Sequence, residues 1–404
     1  MHKFGLDPGT AGGGDVVAKE ESWLTAQVWK IAGSAFFADL GYQAVLAAFP
    51  LFLVLALHAP VWVYGLAMAL AYGPGAVIAW WGGRLGDRHG HRRMAVLGNS
   101  FIPLLSLSGL FAAPAAAVAL FTAGWWARNF RTPSRRAMLT EQVAVAHRSR
   151  AFGFLHFLDV GGGMLAGLYV LAAVAVRWPL PQLFAVTILP LVVSTLLLAT
   201  VRDPERRRVK AASGEPATVS SRDRILYRGV LVAAALYGFS TYSLGFPILT
   251  VAQGMHSRLL GVLSYVVFLG VSAFTGLFFG RRARGSVREL AALGYLGAGV
   301  GSLGLALAYA LAWPWWGFFL PVAVLGFALG VVETLEPVLI ARLVPTLRTG
   351  GGMGALTGAR SVGLFLANVL MGLLYQLTPV DAYGYATAMA LLAAAVLVRS
   401  GRAV

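Results

Sequence analysis

What most restricts this chain is the length of its apolar runs. Six follow one another at about 29–56, 60–81, 94–113, 115–138, 152–176 and 181–200. Six more come at about 229–252, 258–279, 289–311, 315–340, 355–376 and 383–399. A hydrocarbon layer about 30 Å thick is crossed by about 20 residues of helix. In that layer backbone groups must be satisfied within the protein, by a helix or a closed barrel, and apolar runs of this length read as helices. The expected fold class is therefore an all-α membrane protein with 12 transmembrane helices in two six-helix halves. Expected divisions are a cytoplasmic tail at 1–27, a first half at 28–200, a linker at 201–228, a second half at 229–399 and a short tail at 400–404.

Charge placement sets the orientation. Only 12% of residues are charged, about half the fraction of a soluble domain, and mean hydropathy is +0.74. A net charge of +16 would suit a nucleic-acid binder if it formed a solvated patch. Instead the arginines punctuate alternate loops, the pattern of a positive cytoplasmic side. Arg84, Arg88, Arg92 and Arg93 lie on that side with Arg135, Arg136, Arg148 and Arg150. So do the linker cluster from Arg206 to Lys210, the group from Arg281 to Arg288, and then Arg348, Arg399 and Arg402. The other side has only Arg177 and Arg258. Both termini are thus expected in the cytoplasm, with the chain multi-pass in the inner membrane and no nucleic-acid partner. Trp313, Trp315 and Trp316 fall at the outer end of a run, where aromatic residues anchor helices. The absence of cysteine excludes disulfides, zinc-thiolate sites and thiol catalysis.

The two sets of runs also echo each other. Gly41-Tyr42 with Phe49-Pro50 matches Gly238-Phe239 with Phe246-Pro247 at an offset of 197, which also carries Gly83-Arg84 onto Gly280-Arg281. Pro133 and Pro337 close the fourth run of each set. This is the signature of a parallel repeat.

Ionisable residues inside spans are costly and mark function by default. Asp39 sits in the first run with Gln43 one turn on; Arg128 and Arg131 are in the fourth, and His156 and Asp159 in the fifth. Glu333 and Glu336 share a face of the tenth, and Arg360 is in the eleventh. At 1.5 Å per residue, Asp39, Arg128 and Asp159 lie roughly 13–15 Å into the layer and are expected to meet. Glu336 and Arg360 read as an ion pair joining neighbouring helices, and His156 as a hydrogen-bonded packing residue. If Asp159 neutralises Arg128, Asp39 has no partner unless Arg131 turns toward it. A carboxylate so placed in low dielectric can load and release a proton; the alternative is a fixed network that never titrates. Of Trp125 and Trp126, one is expected to face a cavity and the other to pack outward.

A charged, glycine-punctuated link joins the second and third runs: Gly83, Arg84, Gly86, Asp87, Arg88, Gly90, Arg92 and Arg93. This stretch resembles the loop between helices 2 and 3 of the major facilitator superfamily. Nearly the whole chain after the tail fits that resemblance. It implies two six-helix halves around a central cavity, alternating access, and a gating role for the link. It also implies cavity positions for Asp39, Trp125, Trp126, Arg128 and Glu333. Asp87 is expected to meet the glycine-rich start of the eleventh helix, Gly350–Gly354, whose exposed amides attract a carboxylate. The stretches Arg131–Glu141 and Ala151–Asp159 resemble a bacterial branch of the superfamily, in which a glutamate stands where this chain has Gln43. The counterpart of the link, Gly280–Gly285, lacks the aspartate.

The expected function is secondary transport of a small molecule, coupled to protons, with efflux slightly ahead of uptake. The expected partners are that substrate, protons and membrane lipid; the chain is expected to be a monomer without cofactor, metal or catalytic set. A membrane enzyme would need such a set, and no zinc helix or phosphate-binding glycine-lysine loop occurs. A transporter-like sensor or scaffold is the remaining alternative.

Overall fold

The computed structural model describes residues 23–144, 147–202, 221–282, 286–343 and 349–402. Within those residues every regular element is helical. Helix α1 (Ala26–Pro50) is capped by Thr25, whose hydroxyl accepts from the Val28 amide, and continues through a π-helical stretch, Leu51–Ala56. It is followed by α2 (Val61–His89), α3 (His91–Phe101), α4 (Leu104–Leu107), α5 (Pro114–Gln142) and α6 (Arg148–Ala175). The first group ends with α7 (Leu180–Val186) and α8 (Ile188–Ala199). After the linker come α9 (Ser221–Ser240), α10 (Gly245–Gly254), α11 (Arg258–Arg282), α12 (Val287–Glu289) and α13 (Leu296–Ala310). Helices α14 (Trp315–Leu343), α15 (Thr349–Leu377) and α16 (Pro379–Arg402) complete the chain.

Prolines explain three of the breaks. A proline cannot donate to the carbonyl four residues back and crowds it. Pro103 separates α3 from α4, Pro190 sits one turn past the break at Thr187, and Pro247 one turn past the break before α10.

Ten helices or continuous helical paths among the described residues are long and apolar enough to cross a membrane. Two expected spans fall short of that measure. The third run is interrupted at Pro103, and α5, though 29 residues long, carries Arg128, Arg131, Arg135 and Arg136.

The link between the second and third runs is shorter than expected. Helix α2 continues through the glycine-arginine stretch to His89, and the chain reverses at Gly90 with φ 103°, a backbone conformation that suits glycine. Gly82, Gly83 and Gly86 are therefore helical and let α2 lie close on α5. A side chain on Gly82 would meet the Phe130 backbone, and one on Gly86 the Ser134 hydroxyl. The linker is likewise shorter, since α9 begins at Ser221. The N-terminal tail before 23 and residues 203–220 lie outside the described residues, as do 283–285 in the counterpart of the link.

Helix α1 is the most enclosed candidate span, with 78% of its apolar stretch buried, and packs against α6, α8 and α10. The arrangement of the core shows how the groups before and after the linker meet. Residues toward the arginine-poor end form one apolar cluster shared by both, including Phe49, Tyr64, Phe246 and Tyr375. Toward the arginine-rich end the core divides. One cluster holds Ile31, Met138 and Leu198 of the first group, and a separate one holds Tyr237, Leu335 and Leu397 of the second.

Contacts across the boundary follow the same gradient. Tyr64 and Ser243 hydroxyls are 2.6 Å apart, and the Val61 amide donates to Gln376 at 2.8 Å. Side chains on Gly65 and Gly73 of α2 would strike the backbone of Gly372 and the ring of Phe365 in α15. Gly167 of α6 gives Tyr265 and Val266 of α11 the same close approach. Gly73 lies about 18 Å from the start of α2 by helical rise. Farther on, Val77, Trp80 and Trp81 of α2 and Val362 of α15 are exposed, and a side chain on Gly153 or Gly358 would meet open space. A cleft therefore separates the two groups at the arginine-rich end and closes toward the other.

Candidate functional site

The charged groups of the spans gather around this cleft in two clusters. In the first group, α5 places Arg128, Arg131 and Arg135 at i, i+3 and i+7, one stripe of the helix. Each finds a different environment.

Arg135 reaches Asp159 of α6, its Nη2 donating to both carboxylate oxygens at 3.2 and 3.3 Å. Asp39 of α1 is buried, and its carboxyl lies beside that of Asp159 within reach of the same arginines. One Asp39 oxygen is enclosed without a hydrogen-bond partner. The conditional pairing of Asp159 with Arg128 is thus replaced by Asp159 with Arg135. The reason is the length of α5: the sequence suggested an end near 138, but the helix runs to Gln142. Arg135 therefore stands about 10 Å inside the helix end instead of on the loop.

Arg131 is fully buried and turns toward Asn99, donating to its Oδ1 at 2.8 Å. The Asn99 amide donates in turn to Ser194 and Thr195 of α8 at 3.1 and 2.7 Å. Arg131 thus joins α5 to α3 and α8 through neutral partners.

Arg128 is half-buried and lies over two aromatic rings, 5.2 Å from the centroid of Tyr42 and 5.0 Å from that of Trp125. The cation–π contacts hold the guanidinium, and its edge donates to Asn129 Oδ1 at 3.2 Å and to the Tyr42 hydroxyl at 3.4 Å. Trp125 is buried among Tyr42, Tyr72 and Phe121. Trp126 instead donates to the Leu70 carbonyl at 2.8 Å and packs on α2. Gln43, one turn beyond Asp39, accepts from the Tyr265 hydroxyl at 2.8 Å, across the boundary between groups. It marks the closed end of the cleft above the carboxyl pair.

The second cluster is formed by α14 and α15. Arg360 donates to Glu333 at 2.8 Å and to Glu336 at 3.3 Å. Glu336 is fully buried and accepts from Tyr295 at 2.6 Å, whereas the Glu333 side chain is 57% exposed. Arg360 also lies 5.8 Å from the Tyr237 ring centroid, and Tyr237 stacks on Tyr295. Glu336 is therefore held from two sides, while Glu333 has an open side.

His156 differs from expectation. It is exposed on α6 and lies seven residues before Gly163, on the face that meets α11 farther along. The reason is that this face has lost its neighbour where the cleft opens.

In the gating stretch, Asp87 is 74% exposed on its side chain and pairs with His91 at 3.5 Å; His91 also lies 3.6 Å from Glu141. Arg84 covers the Trp80 ring at 4.5 Å, Arg92 donates to the Ala199 carbonyl, and Arg88 and Arg93 are exposed. These contacts stay within the first group. The Asp87 partner foreseen at Gly350–Gly354 falls in the first turns of α15, whose side chains lie outside the described residues.

Sequence reasoning missed Arg135, Tyr42, Asn99, Tyr265 and Tyr237. The Arg135 signal was available in its spacing from Arg128 and Arg131. The others are neutral residues in apolar runs, which nothing in a single sequence sets apart.

Comparison with known proteins supplies the family. The Major Facilitator Superfamily profile matches residues 31–368. A search of curated protein sequences returned no match. Among solved structures, the fold is similar to that of the nucleoside transporter NupG, with 11% identity, a TM-score of 0.69, and coverage of 93% of this chain and 98% of that one. It is similar to a POT family transporter solved with a thioalcohol-conjugated peptide, with 11% identity, a TM-score of 0.73, and coverage of 93% and 96%. A D-xylose–proton symporter gives 14% identity, a TM-score of 0.72, and coverage of 92% and 95%. At these identities the likeness concerns the fold, and the profile carries the assignment: this chain belongs to the Major Facilitator Superfamily of multi-pass membrane transporters.

Proposed function

We propose that this protein is a proton-coupled secondary transporter of a small molecule working by alternating access, with export the expected direction. In this reading all twelve apolar runs span the inner membrane as two groups of six. The interrupted third run and charged α5 are included, because α5 shields its arginines inside the bundle. The arginine-rich end is cytoplasmic, as are both termini, and the cleft is the inward-open state of a monomer.

The observation that carries the reading is the Asp39–Asp159–Arg135 cluster between α1, α5 and α6. Two carboxyl groups side by side can share one proton. Arg135 secures Asp159 while one Asp39 oxygen has no partner, which makes Asp39 the carrier and Asp159 its electrostatic neighbour. Arg128, Gln43 and Glu333 present polar groups toward the cleft and are the proposed substrate contacts. Trp125 forms the wall behind Arg128, and Arg360 positions Glu333.

Proteoliposomes given a pH gradient test this. Substrate flux measured with the gradient in each orientation is expected to follow the proton gradient as antiport, and Asp39→Asn is expected to remove that dependence. Unchanged gradient-driven flux in the variant removes Asp39 from coupling. A thermal-shift screen against metabolites, drugs and metal ions supplies the substrate for the assay.

A further inference from the structure

A second site lies on the outer surface of the bundle, away from the cleft. Between the α12–α13 path and α16 is a groove with a cavity volume of about 760 Å³. Its floor is small and apolar, with Ala291, Ala292, Ala394 and Ala395, and it ends at Leu296 and Leu391. Its mouth carries three arginines, Arg288, Arg399 and Arg402. All three are exposed, and among the described residues none has a carboxylate within ion-pair distance. The wall containing Ala291 and Ala292 is a π-helical turn, Leu290–Tyr295, a local departure often found where helices carry a site.

The dimensions suit one kind of occupant. From Arg288 to Leu296 the groove runs about 12 Å along the helix, and from Arg402 to Leu391 about 16 Å. One leaflet of the hydrocarbon layer is about 15 Å thick. The arginines therefore stand at headgroup level while the alanine floor descends to the depth of an acyl chain. Guanidinium groups match the oxygens of a phosphodiester and remain charged at any physiological pH. A membrane-facing groove so built attracts an anionic headgroup electrostatically and keeps its chain by apolar contact.

We infer that this groove is a binding site for one anionic phospholipid of the arginine-rich leaflet, its phosphate held by Arg288, Arg399 and Arg402 and one acyl chain lying on Ala291, Ala292, Ala394 and Ala395. The bound lipid ties the start of the α12–α13 path to the end of α16.

The test uses the full chain in nanodiscs of phosphatidylcholine with a minor fraction of phosphatidylglycerol. Retention of each lipid is read by native mass spectrometry after transfer to detergent. The wild type is expected to retain phosphatidylglycerol selectively, and each of Arg288→Gln, Arg399→Gln and Arg402→Gln to weaken that retention about five-fold. Ala395→Phe, which fills the floor and leaves the charges, is expected to weaken it as well. The control Arg84→Gln/Arg93→Gln changes exposed arginines at the same end and is expected to have no effect. Equal retention in the triple arginine variant overturns the proposal, as does equal loss in the control, which makes the effect one of overall charge. Displacement of the lipid by excess inorganic phosphate also overturns it, because the groove is then a plain anion site.

Discussion

Three arginines one helical stripe apart on α5 show how much the partner matters. Arg135 is ion-paired, Arg128 rests on aromatic faces, and Arg131 is buried against an amide. Removing one member of a buried pair leaves the other charge without compensation, at about 3–5 kcal/mol when both are fully enclosed. The Asp159 side chain keeps 24% exposure, so Arg135→Gln is expected to cost about 2 kcal/mol, less than that range. The double variant Arg135→Gln/Asp159→Asn is expected to recover most of the loss, measured as melting temperature in detergent. Tyr265→Phe removes the hydrogen bond to Gln43 at the closed end of the cleft. It is expected to leave stability within about 1 kcal/mol and to favour opening at that end.

At the scale of elements, the family stretch is less a loop than a helix junction. Helix α2 is held to α5 along Gly82, Gly83 and Gly86, and only Gly90 leaves helical geometry. Gly90→Ala forces a side chain into a left-handed backbone and is expected to destabilise by about 1–3 kcal/mol. Gly82→Ala adds a methyl against the Phe130 backbone, and is expected to part α2 from α5 without altering the turn. Comparing the two by melting temperature and by the fluorescence of Trp80 and Trp81 separates the turn from the packing. Close approach to a neighbouring helix was legible for Gly83, whereas the separate use of Gly90 as the turn was not, because a glycine in the sequence serves a turn and a close helix approach equally well.

For the whole molecule, the divided core makes a prediction about access. The chain contains no cysteine, so single introduced cysteines report without background. Gly153→Cys and Gly358→Cys lie in the open part of the cleft and are expected to react with an impermeant maleimide from the arginine-rich side. A cysteine at Gly65, which faces the Gly372 backbone, is expected to stay protected. Asp87 is exposed in this open form. If it latches the opposite state, Asp87→Asn shifts labelling of Gly153→Cys and Gly358→Cys further toward the open pattern; no shift reduces the stretch to a topological signal.

The sequence by itself determined the all-helical membrane class, the family, and which runs carry the charged residues other than Arg135. Those follow from run length, the glycine-arginine stretch and the cost of charge in lipid, all of which are local properties of the chain. It also foretold the Glu336–Arg360 contact, because neighbouring helices and similar depth leave few alternatives. Only the tertiary structure decided that Asp159 takes Arg135, that Arg131 takes Asn99, and that Trp125 rather than Trp126 stands under Arg128. These choices depend on where α5 ends and how it is rotated against α1, α2 and α6, to which many residues far apart in the chain contribute. The side on which the cleft opens is decided at the same level. It rests on which apolar faces of two separate groups of helices touch, and a linear pattern of apolar residues is the same in either case.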